Sequence, residues 1–482
     1  MGSDSLGNKS RKALAWDLFG TVFRQMSLLI VTIILARLLD PEEFGIAGMS
    51  MVFISLTQVF IDVGFTAGII QKKSISDIEL SSVFYINLFI SILLGVVIFL
   101  SAGMIGDFYD EPIVTSVVKY LAVIPAIAGL GKVHAAILVK KMSFKALTFR
   151  DILATVGGGI AGIIAALKGY GVYALVWQQI FTVFIGTILL WIGTGWFPAK
   201  SFSYSKIRSL LTFSSYVFFD QALRQIFLKV DTLFIGKVFS AATLGFYSRA
   251  ESLNAQVSNY TSSSLRKVIF PVFSTLQDDS EKFREVYFKA FAIAAFTGTV
   301  SSGILFFLSK EIILGLLADK WYPSILIFQI LVFRLLFMPF GPLIGKCMLA
   351  KGYSKTKFKV SQFQRFFMLA PLPVGYFYGI EAFTWALVGS TTIGFLISIL
   401  MMHRLFHFSV ADQLLIFVRP LVPMIVLIGV FAILDHAESG FINVSLFLLL
   451  QSVYSYIIKD KGAVLILQQV RILLSNLNFH PK

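Results

Sequence analysis

Apolar runs of about 20 residues follow one another almost to the end of the chain, parted by short turns that hold most of the charge. The runs are continuous and do not alternate with period two, so they read as helices and not as barrel strands. A helix rises about 1.5 Å per residue, so each run matches the ~30 Å hydrocarbon layer of a bilayer. The expected fold is an all-α polytopic membrane protein of about fourteen spans. The pattern places them near 13–36, 44–65, 81–104, 114–138, 152–166 and 172–193. A second six follow near 210–236, 244–270, 290–308, 324–350, 366–378 and 383–403, then a pair near 413–434 and 441–458. Beyond these, 462–479 places Ile466, Val470, Leu473 and Leu474 on one helical face, as a surface-lying or soluble tail helix would.

The first span is written twice. Phe23-Arg24-Gln25-x-x-Leu28-x-x-x-Thr32 returns as Leu223-Arg224-Gln225-x-x-Leu228-x-x-x-Thr232, and Phe44-Gly45 returns as Leu244-Gly245. Gly171-Val-Tyr-Ala-Leu-Val-Trp177 likewise matches Gly379-Ile-Glu-Ala-Phe-Thr-Trp385. Polar and aromatic matches inside apolar runs are rarer than apolar ones, which is why these pairs carry weight. The expected division is a six-helix bundle over 1–199, its repeat over 200–405, an additional pair over 406–460 and a cytoplasmic tail over 461–482. An even number of spans separates the copies, so they run parallel, with a substrate site expected between them.

Composition agrees: 57% of residues are hydrophobic, only 14% are charged and the mean hydropathy is +0.83. The net charge of +15 resembles a nucleic-acid signal, but its placement argues otherwise. Most of the 41 Lys and Arg fall in the alternate loops of one side, the bias that marks the cytoplasmic face. Both termini are therefore expected inside, and 107–112 and 435–440 outside. The basic Lys9-Ser10-Arg11-Lys12 before a long apolar run reads as the flank of an uncleaved first span. One cysteine, Cys347, excludes an internal disulfide and a cysteine-built zinc site. His403 and His407 lack a third ligand, no phosphate-loop motif is present, and neither metal nor cofactor is expected.

Two parallel six-helix bundles plus a pair, in 482 residues, resemble the multidrug/oligosaccharidyl-lipid/polysaccharide flippase superfamily. The wording of Ile34-Leu35-Ala36-Arg37-Leu38-Leu39-Asp40-Pro41-Glu42-Glu43-Phe44-Gly45, Asp62-Val63-Gly64-Phe65 and Ile69-Ile70-Gln71 is similar to its bacterial polysaccharide exporters. The branch with the colanic acid and teichuronic acid exporters is the best match. The resemblance implies a transporter, not an enzyme, in the bacterial cytoplasmic (inner) membrane. Its implied cargo is an undecaprenyl-pyrophosphate-linked oligosaccharide for cell-surface polysaccharide, handed on to polymerase machinery.

Charges inside the spans are the candidate site residues, because a mid-membrane guanidinium costs roughly 2.5–3.5 kcal/mol on insertion scales unless it faces protein or water. Arg24 and Arg224 lie near mid-span at matching places, and Arg249, Arg334 and Lys119 are further cations within apolar runs. Guanidinium forks suit the pyrophosphate that the resemblance implies. Asp17, Asp220 and Glu251 are candidates for proton or sodium coupling, or counter-ions to neighbouring arginines. Lys132, Lys346 and Arg419, near inner span ends, are expected to reach for the interface. Two other functions compete. A membrane polymerase or glycosyltransferase would need a large outer loop with paired carboxylates, whereas these outer loops are short. A drug-cation exporter would favour an anionic or aromatic cavity, against which the arginines argue.

Overall fold

The computed structural model describes residues 3–62, 65–72, 74–203, 222–434 and 440–468, with side chains from Gly20 onward except at a few positions, chiefly 259–268. All regular structure among them is helical, and ten helical segments are long and apolar enough to cross a bilayer. By contacts the chain forms two units, Met1–Ser248 and Arg249–Lys482.

The first unit holds α1 (Ser3–Leu38), α2 (Pro41–Asp62), α3 (Phe65–Gln71), α4 (Asp77–Tyr109) and α5 (Pro112–Leu121). It continues with α6 (Val123–Lys140), α7 (Phe144–Leu167), α8 (Tyr173–Thr194), α9 (222–238) and the start of α10 (Ala241–Thr275). The fourth expected span is divided at Ala122, where α5 passes into α6 just before Pro125. α7 starts earlier than expected, so that Arg150 belongs to a helix and not to a loop.

Gly157-Gly158-Gly159 explains how α7 fits between its neighbours. A methyl group on Gly158 would stand 1.9 Å from Thr182 Oγ1 on α8, and one on Gly159 would stand 2.3 Å from Val31 Cγ2 on α1. Only glycine lets the three helices approach this closely, as small residues do in membrane bundles.

A reciprocal contact joins α2 and α10. A methyl on Gly45 would lie 1.7 Å from the Ala241 carbonyl oxygen, and one on Gly245 would lie 1.9 Å from the Pro41 carbonyl oxygen. Positions 41 and 45 meet 245 and 241, the exchange that a two-fold contact makes. The matched glycines at 45 and 245 thus share one self-complementary contact. Gly171 and Gly379, the other matched pair, both have left-handed backbone, φ +56° and +87°. Glycine adopts that conformation freely.

The second unit continues α10 and adds α11 (Ser280–Phe307), α12 (Ser309–Leu317), α13 (Ser324–Val332), α14 (Phe340–Ala350) and α15 (Ser354–Phe367). Then come α16 (Pro371–Phe406), α17 (Val410–Val418), α18 (Val422–Leu434), α19 (Gly440–Ile457) and α20 (461–468). α16 is two helices meeting at Gly379, matching the expected turn between two spans. The tenth expected span is interrupted by a 3-10 turn, Phe333–Leu336. Its core is aromatic: Phe291 lies 4.5 Å from Phe340 and Phe395 4.7 Å from Phe417, ring centre to ring centre. Buried Tyr287 donates to Gln413 Oε1 at 2.7 Å.

Candidate functional site

Arg24 on α1 and Arg224 on α9 are both exposed, each among exposed apolar side chains: Phe23 and Met26 in one copy, Leu223 and Ile226 in the other. Neither guanidinium pairs with a carboxylate of a described residue. Asp220 and the side chain of Asp17, the two acids expected nearby, lie outside the described residues. Lys119 is exposed on α5, next to Tyr120, which shares a small aromatic recess with Tyr170, Tyr173 and Trp177. Close to the reciprocal contact, Lys237 Nζ binds Asp110 Oδ2 at 2.6 Å and lies 5.6 Å from the Phe108 ring centre.

The structure adds a site that the sequence reading missed. A cavity of about 370 Å³ opens among α2, α6, α7 and α8, with Ser55, Gln58, Lys132, Arg150, Gln179 and Thr187 as its polar lining. Lys132, expected to reach for the interface, instead lines this cavity. Arg150 fits because position 186 is glycine: its Nε donates to the Gly186 carbonyl at 3.2 Å and Nη1 to Asp151 Oδ1 at 2.7 Å. Two cations, two amides and two hydroxyls can bind an anion that also bears hydroxyls. The available signal was Gln58 and Gln179, amides inside otherwise apolar runs.

In the second unit Arg334 is buried on the 3-10 turn, and its Nη1 donates to Glu251 Oε2 at 3.3 Å. Asn254, one turn after Glu251, is fully buried and neither its side-chain oxygen nor its nitrogen has a partner among the described residues. Arg249 is half-buried and its Nε is enclosed. Of the two roles open to Glu251, the geometry displays the counter-ion.

The helical architecture, with ten segments long and apolar enough to cross a bilayer, defines a multi-pass membrane protein. The fold is similar to that of the lipid II flippase MurJ in an inward closed conformation. That match has a TM-score of 0.73 and 18% identity, covering 92% of this chain and 98% of that one. It is also similar to an inward-facing multidrug resistance MATE family transporter, at TM-score 0.63 and 16% identity over 80% of this chain and 96% of that one. By sequence, the chain belongs to the polysaccharide biosynthesis protein family, whose description matches residues 34–326. The lipopolysaccharide biosynthesis protein WzxC of Escherichia coli (strain K12) is 24% identical over 380 residues, 77% of this chain and 76% of that protein. The teichuronic acid biosynthesis protein TuaB of Bacillus subtilis (strain 168) is 24% identical over 310 residues, 62% of this chain and 63% of that protein.

Proposed function

We propose that this protein is a flippase that carries a polyprenyl-pyrophosphate-linked oligosaccharide unit across the bacterial cytoplasmic membrane by alternating access, for assembly of a surface polysaccharide. The observation that carries the reading is the matched pair Arg24 and Arg224: exposed guanidiniums on spans 1 and 7, without a described carboxylate partner. A guanidinium at that depth is retained where it meets an anion or water, and a planar fork grips a phosphate through two oxygens. The apolar tail stays in lipid while the arginines meet the charged head. Lys119 and the cations of the small cavity are further positive charges of the first unit, and in the second unit Glu251 is held by Arg334. The flippase named among the similar folds and the polysaccharide proteins named among the relatives support the same reading.

Export in cells tests it. In a strain that depends on this protein for its surface polysaccharide, Arg24→Ala and Arg224→Ala should each abolish export while the protein stays in the membrane at near-normal level. Normal export by both variants would overturn the proposal. Efflux of a lipophilic drug cation, lost in neither variant, would move the chain to the drug-exporter reading.

A further inference from the structure

A second binding site lies in the second unit, at the end that the charge bias puts in the cytoplasm. The N-terminal ends of α11 and α17 meet the C-terminal end of α19 there, and α20 packs across them. Gly462 permits this, since a methyl on it would stand 2.4 Å from the Ala292 carbonyl oxygen. Between these elements is a cleft of about 920 Å³, at the upper end of the roughly 300–1,000 Å³ that holds drug-sized ligands. Its floor is apolar, built from Phe288, Ala292, Leu415, Ile416, Val464 and Leu465.

The charges around the cleft are not balanced in use. Of its carboxylates, Glu281 and Asp412 sit in the first turns of α11 and α17, where the helix dipole favours a negative charge. Asp460 accepts from the Ala463 N–H at 3.0 Å, capping α20, and Glu285 binds Lys289 at 2.5 Å. Four cations are left: Arg284, whose guanidinium lies 5.7 Å from the Phe288 ring centre, and Arg419, Lys459 and Lys461. None of the four pairs with a carboxylate of a described residue. Arg419 follows the nine residues of α17 and stands exposed in the cleft beside these cations.

We infer that this cleft seats the head group of an anionic phospholipid of the cytoplasmic leaflet. Basic pockets between membrane helices on the cytoplasmic side are suited to such lipids. The phosphate meets Arg419 and Arg284 with Lys459 and Lys461 at the rim. The chains run along the exposed Leu415 and Val418 of α17 and Val464 and Leu467 of α20. A zwitterionic lipid would bring its own ammonium into a cluster that already has surplus positive charge. This site is separate from Arg24 and Arg224, and the inference stands whether or not the transport reading does.

The test uses the full chain, delipidated in detergent, and native mass spectrometry with phosphatidylglycerol, phosphatidylethanolamine and soluble glycerol phosphate. The expected result is one phosphatidylglycerol held at least tenfold more tightly than phosphatidylethanolamine and not displaced by glycerol phosphate. Each lost cation should weaken it roughly fivefold, the weight of one basic side chain at an anionic surface. Arg419→Gln should therefore bind about fivefold more weakly and Lys459→Gln/Lys461→Gln about twenty-fivefold. Lys459 and Lys461 are exposed, so that variant folds even where Arg419→Gln does not. Equal binding of the two lipids, or unchanged binding by the double variant, overturns the inference. Displacement by glycerol phosphate also overturns it, and assigns the cleft to a soluble phosphate compound.

Discussion

Adding one methyl group at Gly45 or Gly245 should separate two helices that the native chain holds in backbone contact. The methyl would arrive 1.7 Å from the Ala241 oxygen in Gly45→Ala and 1.9 Å from the Pro41 oxygen in Gly245→Ala. An unstrained contact needs about 3.4 Å, so the helices must part by roughly 1.5–1.7 Å at this point. The opposing atom is a backbone carbonyl and cannot rotate away as a side chain could. Overpacking of this kind costs about 1–3 kcal/mol, while alanine returns up to about 1 kcal/mol of helix propensity. A net loss of about 1–2 kcal/mol follows for each variant. Gly103→Ala is the control: no atom lies within 4 Å of its added methyl, so only the propensity gain remains. The two clashes share one helix pair, so once the first methyl has opened it the second fits with little further cost. The double variant should lose about as much as either single one, a coupling of roughly 1–2 kcal/mol. Denaturation of the purified protein in mixed micelles measures all four. Strict additivity, or stability equal to Gly103→Ala, would refute the reciprocal contact.

Three further outcomes follow from other parts of the molecule. Glu251→Gln should cost about 3 kcal/mol, the foot of the range for breaking a buried pair, since Glu251 keeps some exposure. Glu251→Met with Arg334→Met should restore melting; a stable Glu251→Gln protein that has lost only ion-dependent transport would instead make Glu251 the coupling site. Asp110→Asn breaks an exposed pair with Lys237 and should change stability by less than about 1 kcal/mol, measured by the same denaturation. In the native background the single cysteine, Cys347, is buried and should not react. A membrane-impermeant thiol reagent added outside should label Asp107→Cys and spare Lys355→Cys, and the opposite pattern would reverse the orientation.

The helical, polytopic fold was legible because the requirement for backbone hydrogen bonding in lipid leaves few options. Arg24-Gln25 and Arg224-Gln225 stand out in the sequence against apolar neighbours, and the matched glycines at 45 and 245 lie where two helices approach. Which atoms they approach was not legible: Ala241 and Pro41 differ in type, and their meeting depends on how two helices cross. The cavity with Lys132 and Arg150 escaped for a similar reason. It is assembled from α2, α6, α7 and α8, and no local pattern reports such an assembly. Arg150 fell outside the span expected near 152–166 because Lys140, Lys141, Lys145 and Arg150 break the apolar pattern, although α7 already starts at Phe144. The 3-10 turn that presents Arg334 also has no proline or glycine within it. Arg334 itself was visible, being a charge in an apolar run; its partner Glu251 lies 83 positions away.

Direct measurement of lipid movement tests the central claim. Proteoliposomes would hold the purified protein and a fluorescent polyprenyl-pyrophosphate oligosaccharide, with a sugar-cleaving enzyme added outside to report which leaflet holds the head group. Native protein should make the inner-leaflet pool accessible within minutes, and Arg24→Lys should do so more slowly, since an ammonium keeps the charge without the fork. Arg24→Ala/Arg224→Ala should behave like protein-free vesicles, because each arginine lost from a phosphate removes a charged hydrogen bond of about 1.5–3 kcal/mol. If native protein leaves the inner pool protected, or the double alanine variant exposes it at the native rate, the account of this chain as an arginine-guided flippase is contradicted.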